Sequence, residues 1–315
     1  MTSSSLPHEP DRDRSDLKLE RELLQQLSRP APGRLVFHTL FEWALIFAAI
    51  SLALWADSAW VSFVAIVFIA TRQHALLVFM HEFAHRQFSR TRPVLNDVIG
   101  DFLTALPMMV TVHGFRRDHF QHHRATSTHD DPNWASTRRR NRYRFPRSRA
   151  GMIWLLLLHS VGFYTPQELK SVLFDAGMAT AAPRDVALRQ AGFWLGVLAA
   201  CWAFNLWLTV ALYWFLPMVT VLMAVLYLRE VAEHHAMPKR GLEAARTMLC
   251  GRVESFLIGP HAVGLHAEHH LYPSVPFCRL PQLHRLLSER AGYESHAVVT
   301  RGYFTGLLSE VSGRP

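Results

Sequence analysis

Residues 59–85 read AWVSFVAIVFIATRQHALLVFMHEFAH, an apolar run from Ala59 to Met80 that passes without a break into His81-Glu82-Phe83-Ala84-His85. At the rise of an α-helix, Ala59 through Arg86 would extend ~42 Å. A bilayer hydrocarbon core is only ~30 Å thick. The run therefore predicts a membrane-crossing helix that projects past the bilayer edge and carries His81 and His85 beyond it. Positions i and i+4 share a helix face, so both imidazoles can meet one metal ion. Taken alone, this HxxxH pair is equally the pattern of ordinary surface histidines.

Working outward, Val36 to Ala56 is a second run long enough to cross, ~31 Å as a helix, and Glu42 within it must face the bundle interior. Asp57-Ser58 is too short a link for an aqueous domain, so the two runs predict an antiparallel hairpin. A second hairpin is predicted from Ala191 to Phe215 and from Pro217 onward, broken around Pro217. The expected spans are 36–56, 59–80, 191–215 and 217–235, which return both termini to one side. Arginines crowd the segment from Arg86 to Arg149, and neither hairpin tip carries Lys or Arg. The positive-inside rule then makes this segment, both tails and the histidines cytoplasmic. Val98–Val112 and Met152–Tyr164 are short for spans and read as interfacial or re-entrant segments; a shallow third hairpin is the competing reading. The expected fold is thus all-α and integral to the membrane, with four transmembrane helices in two hairpins under a cytoplasmic helical cap. Residues 1–34 are expected to be a disordered and amphipathic tail, 35–290 the membrane domain, and 291–315 a cytoplasmic tail.

Composition agrees. Half of the 315 residues are hydrophobic, with nine Trp and twenty Phe beside a net charge of +8. This pairs lipid-held segments with basic loops facing anionic headgroups; the alternative for a basic chain, nucleic-acid binding, lacks a soluble aromatic–basic surface. Cys201, Cys250 and Cys278 are too far apart for a CxxC metal site or a disulfide framework. The polar stretch Met1 to Asp16 has no signal-peptide core.

Two further histidine clusters fall on the same predicted side. His119-Phe120-Gln121-His122-His123 and His266-Ala267-Glu268-His269-His270 share an HxxHH spacing. Between them, at the end of the fourth span, stand Glu230, Glu233, His234 and His235, with Glu230 and His234 again at i and i+4. A single cluster is weak evidence, but their gathering at one membrane edge is not expected by chance. Imidazoles suit Zn, Cu, Fe or Ni. One closed zinc site needs four ligands, whereas the clusters with His234 offer nine histidines, so two metals are expected.

The boxes HxxxH, HxxHH and HxxHH resemble, in order and side, the membrane fatty acid desaturase superfamily, over roughly Val36 to Leu287. Asn96 and Gly100 after box one, Phe115-Arg116 before box two, Asp130-Asp131-Pro132 after it, and His266 to Pro276 (HAEHHLYPSVP) add to the likeness, as does Leu280-Pro281-Gln282-Leu283-His284. The resemblance implies two non-haem irons held by His81, His85, His119, His122, His123, His266, His269 and His270. It adds His234 after the last span and leaves Glu230 open as a polar or water-mediated ligand. Glu82 stands where many relatives carry Asp. With Asp118, Asp130, Glu233 and Glu268 it is a candidate acceptor for a ligand imidazole N–H. His113, His235, His261 and His284 read as polar neighbours, and His159 as structural.

The implied chemistry is O2-dependent removal of two hydrogens from adjacent carbons of a fatty-acyl or similar lipid chain. Oxygen insertion by a hydroxylase or carotenoid ketolase of the same superfamily is the alternative. A histidine-rich metal transporter is a remote one, because it would place ionisable groups mid-span. No haem domain, ferredoxin cysteine pattern or GxGxxG fingerprint is visible. A separate ferredoxin or cytochrome b5-like donor with its reductase is therefore expected. Arg138 to Arg149 could dock such a donor, with anionic lipid the favoured partner.

Overall fold

The computed structural model of the chain describes residues 17–170, 182–237 and 242–312. Of the disordered and amphipathic tail expected at 1–34, residues 1–16 lie outside the described residues. The amphipathic segment after them is α1 (Arg21–Leu27), and it is no solvated appendage. Leu17 and Leu27 are buried in a core with Leu265, Ala267, Val275 and Leu283. Tyr272 clasps the entry, donating its hydroxyl to the Leu17 carbonyl and accepting from the Leu19 N–H.

Then come α2 (Pro32–Ala56) and α3 (Ala59–Ala84), joined through Asp57 in a left-handed conformation. Glu42 is buried as expected, because Arg72 of α3 meets its carboxylate at 3.1 Å. His261 reaches the same carboxylate at 2.8 Å, and Arg72 also donates to the Phe256 carbonyl and lies over its ring. Charges that would be costly within an apolar helix pair are thereby neutralised by each other.

The apolar stretch after box one forms α4 (Pro93–Gly100), continues as one π and one 3-10 turn to Met108, and bends by 88° into α5 (Val112–Ala125). That bend excludes a straight span. Asp101 holds the corner, its Oδ1 accepting from the Val112 N–H at 2.8 Å. Gly100 permits the approach to α3: a Cβ there would fall 2.6 Å from the Phe83 ring. The second short stretch is α6 (Arg149–Ser160), which buries Met152, Leu155 and His159 and exposes Ile153, Trp154 and Leu157.

The second pair of long helices is α7 (Arg184–Phe204) and α8 (Trp207–His234). The expected break at Pro217 is corrected: the chain turns at Asn205-Leu206, with Asn205 at φ 53. Asparagine tolerates the left-handed region that ends a helix. The missing N–H of Pro217 is absorbed instead by the π turn Ala211–Phe215 just before it. Four helices (Arg21–Ala56, Ala59–Ala84, Arg184–Phe204 and Trp207–His234) are long and apolar enough to cross a membrane. Trp55 and Trp60 stand exposed beside one turn, and Trp202 and Trp207 beside the other. The hydroxyls of Ser62 and Tyr213 meet at 2.8 Å near these turns.

The C-terminal region is likewise not a loose tail. β2 (Val299–Arg301) pairs in parallel with β1 (Thr247–Leu249), Thr247 opposite Val299. Tyr303, Leu307 and Val311 then bury against Tyr227, Leu228 and Val231 of α8. Short apolar segments of this kind carry no periodicity long enough to announce their burial. The third box lies on α9 (His266–Leu271), wedged between this region and α1.

Candidate metal centre

All nine expected imidazoles converge, and they do so as two groups. His81 and His85 from α3, His119 and His123 from α5 and His269 from α9 form the first. His122 from α5, His234 from α8 and His266 and His270 from α9 form the second; within each, the ligand atoms lie within 4.8 Å of one another. Stacked rings of His123 and His270, with centroids 4.2 Å apart, join the groups. Each HxxHH box therefore serves both. On a helix i and i+4 diverge by about 40° and i+3 falls about 60° to the other side. Thus His119 and His123 face the first group while His122 turns to the second, and His266 and His270 face the second while His269 turns to the first.

The chemistry of these donors fits metal ions. Nε2 atoms approach one another at 2.9 Å for His85–His119, His119–His123 and His234–His266, and at 3.1 Å for His123–His269 and His266–His270. Burial, reinforced by neighbouring imidazoles, holds His85, His119, His266, His269 and His270 well below the usual histidine range and takes His123 down to about 3. Neutral rings carry one N–H each. In the second group His122 directs Nδ1 at Asp131 (2.9 Å) and His234 directs Nδ1 at the Ala244 carbonyl (3.1 Å). His270 Nδ1 faces Thr126 Oγ1 (3.3 Å), whose own proton goes to the His122 carbonyl at 2.8 Å. Three Nε2 lone pairs are thus turned inward together, an arrangement a cation satisfies and protons do not. In the first group His81 Nε2 is buried without a hydrogen-bond partner among the described residues.

The expected carboxylates divide. Glu82 lies 3.7 Å from His81 Nδ1 while accepting from the Phe277 N–H, and Glu233 lies 3.6 Å from His266 Nδ1 while holding Arg229 at 2.6 Å. Among the described residues Glu268 bonds none of the nine imidazoles. It is buried among Thr247 Oγ1, His284 Nδ1 and the Tyr293 hydroxyl, and so ties α9 to the C-terminal region. Asp118 pairs with Arg117, and the exposed Asp130 bonds through its backbone, its carbonyl accepting from Gln121 and its N–H donating to Thr128 Oγ1. The carboxylate at hydrogen-bond distance from one of the nine imidazoles is Asp131, beside His122, and its other oxygen accepts from the Ser127 N–H. An Asp-Pro step at a helix start was its available signal, since Asp131 also caps Pro132–Thr137.

Glu230 borders the second group without entering it. It stands 3.5 Å from His235 and lines a small pocket with His122, Asp131 and His234. Of the other histidines, His261 meets Glu42, His284 meets Glu268, and His159 is buried against Tyr227.

A sequence model of the family described as fatty acid desaturase matches residues 58–302. The dihydrorhizobitoxine desaturase of Bradyrhizobium elkanii is 25% identical over 302 residues, covering 91% of this chain and 85% of that protein. The matched region contains every imidazole of both groups and the helices that present them, and the chain belongs to the fatty acid desaturase family.

Proposed function

We propose that this protein is a multi-pass membrane desaturase that introduces a C=C bond into an aliphatic chain at a centre of two irons, using O2 and electrons from a separate carrier. The observation that carries this reading is the pair of adjoining imidazole groups, five and four strong, gathered where the apolar helices α3 and α8 end. Iron bound by these nine histidines would supply the O2 activation and C–H oxidation. The protein's own residues supply the rest. Asp131 keeps the His122 proton on Nδ1, the Ala244 carbonyl does so for His234, and burial keeps bulk water from His81, His122, His266, His269 and His270. Glu230, at the edge of the second group, would hold a water rather than a metal.

The same reading places the turns at Asp57-Ser58 and Asn205-Leu206 on the outer face, as two hairpin tips with their tryptophans at the interface. The arginine-rich segment and the metal centre are then cytoplasmic. There a ferredoxin or cytochrome b5-like donor, with its reductase, would have access. The relative's name, a desaturase of dihydrorhizobitoxine, leaves a fatty-acyl chain as one substrate class among chain-bearing metabolites.

The test is expression with verified iron, followed by mass spectrometry of lipids and small metabolites against His122→Ala and His269→Ala, one residue from each group. Loss of product and of iron in both is expected; full activity with unchanged iron would overturn the reading. Oxygen from 18O2 retained in the product would mean insertion instead of desaturation.

A further inference from the structure

His74 stands seven residues before His81 and eleven before His85 on α3. These separations return to within about 20° of one direction on an α-helix. The face that delivers two imidazoles to the first metal group therefore delivers a third, ~10 Å nearer the Asp57 turn. Leu77 and Val78, at i+3 and i+4 from His74, cover the face between the two levels with apolar surface.

His74 is fully buried, and Arg229 Nη1 lies 3.4 Å from its Nε2. A guanidinium only donates, so Nε2 accepts and neutral His74 carries its proton on Nδ1. That Nδ1 is buried and has no hydrogen-bond partner among the described residues. Arg229 itself is held through Nε by Glu233 at 2.6 Å, so one positive and one negative charge balance here. Two residues away Arg72 is engaged by Glu42 and the Phe256 carbonyl, and Glu42 also by His261, so neither supplies the missing acceptor. An aliphatic chain supplies none either.

We infer that His74 and Arg229 bind an acceptor oxygen of the substrate, ~10 Å along the helix from the metal-facing imidazoles. The substrate is then a short chain bearing a carboxylate, carbonyl, ether or hydroxyl oxygen, and not an uninterrupted acyl tail. Because Arg229 and Glu233 already compensate each other, the oxygen need not be charged. The inference rests on the desaturase reading for the position of the reacting carbons, above the apolar stretch.

The test compares octanoate, 1-octanol and octylammonium, equal in chain and differing in whether the head accepts, does both or only donates. Binding to the iron-loaded protein in lipid nanodiscs is followed by calorimetry, for the unaltered chain, His74→Leu and His74→Gln. Octanoate and octanol should bind at least tenfold more tightly than octylammonium. The preference should diminish in His74→Leu, where Arg229 alone remains, and survive in His74→Gln, which keeps a donor. Octanoate far ahead of octanol identifies a carboxylate, and parity identifies a neutral oxygen. Equal binding of all three, or an undiminished preference in His74→Leu, overturns the inference and leaves a hydrated polar contact. That failure would not touch the iron content or product formation that test the desaturase reading. Conversely, active box variants would sink that reading while leaving this binding order in place.

Discussion

His122 Nδ1 lies 2.9 Å from Asp131 Oδ1, with both side chains buried, and the neighbouring Asp130 is turned away into solvent. A carboxylate on the far nitrogen fixes the tautomer and orientation of a metal-binding imidazole, and removing it typically weakens metal binding 10–100-fold. Asp131→Ala should therefore lose iron affinity by about 10–100-fold in competition with a chelator, whereas Asp130→Ala should retain it. Equal loss in both would contradict the assignment of the contact to Asp131.

The pair Glu42–Arg72 lends itself to a double-mutant cycle. Both side chains are buried in the apolar helices α2 and α3. Removing one partner leaves an uncompensated charge, a loss of about 3–5 kcal/mol. Glu42→Leu alone should reduce the folded fraction sharply on denaturant titration in detergent. Adding Arg72→Met should recover most of the loss, because a buried ion pair is often replaceable by apolar groups of similar volume. A double variant no better than the single one would argue against the pairing.

Gly100 is the contact point of α4 with α3. An added Cβ would lie 2.6 Å from Phe83, a side chain fully buried two residues from both His81 and His85. Gly100→Ala should cost about 1–3 kcal/mol by overpacking, seen as a lowered melting temperature. Asn96, one turn earlier, donates to the Phe83 carbonyl at 2.8 Å and holds the same crossing from the other side.

Acid should destabilise the iron-free protein. His123 has its ordinary value of 6.5 lowered to about 3 by burial and by His122 and His234. Above 6.5 neither the folded nor the unfolded chain holds this proton, and the native state keeps its full stability. As pH falls from 6.5 toward 3 the unfolded chain binds the proton and the folded one does not, so stability declines. His85, His119, His266, His269 and His270 shift in the same direction and add to the slope. Melting temperatures of the iron-free protein should fall as pH drops from 6.5 to 5, with little contribution from these imidazoles above 6.5; a rise between 6.5 and 5 would count against neutral, buried imidazoles.

What was legible in the sequence was whatever depends on local spacing. Twenty or more apolar residues in line dictate long helices, and i, i+3 and i+4 spacing dictates which histidines share a turn. The nine imidazoles and the four long apolar helices were accordingly within reach of the sequence alone. The tertiary structure decided everything that depends on which elements meet. It divided each HxxHH box between two groups, chose Asp131 over Asp130, and set Arg72 against Glu42. It also turned the chain at Asn205 in place of Pro217 and buried both terminal segments that look like tails. The physical reason is the same in each case. A periodicity states which way a side chain points on its own helix, but the partner that completes a hydrogen bond, balances a buried charge or covers an apolar face arrives from elsewhere in the chain.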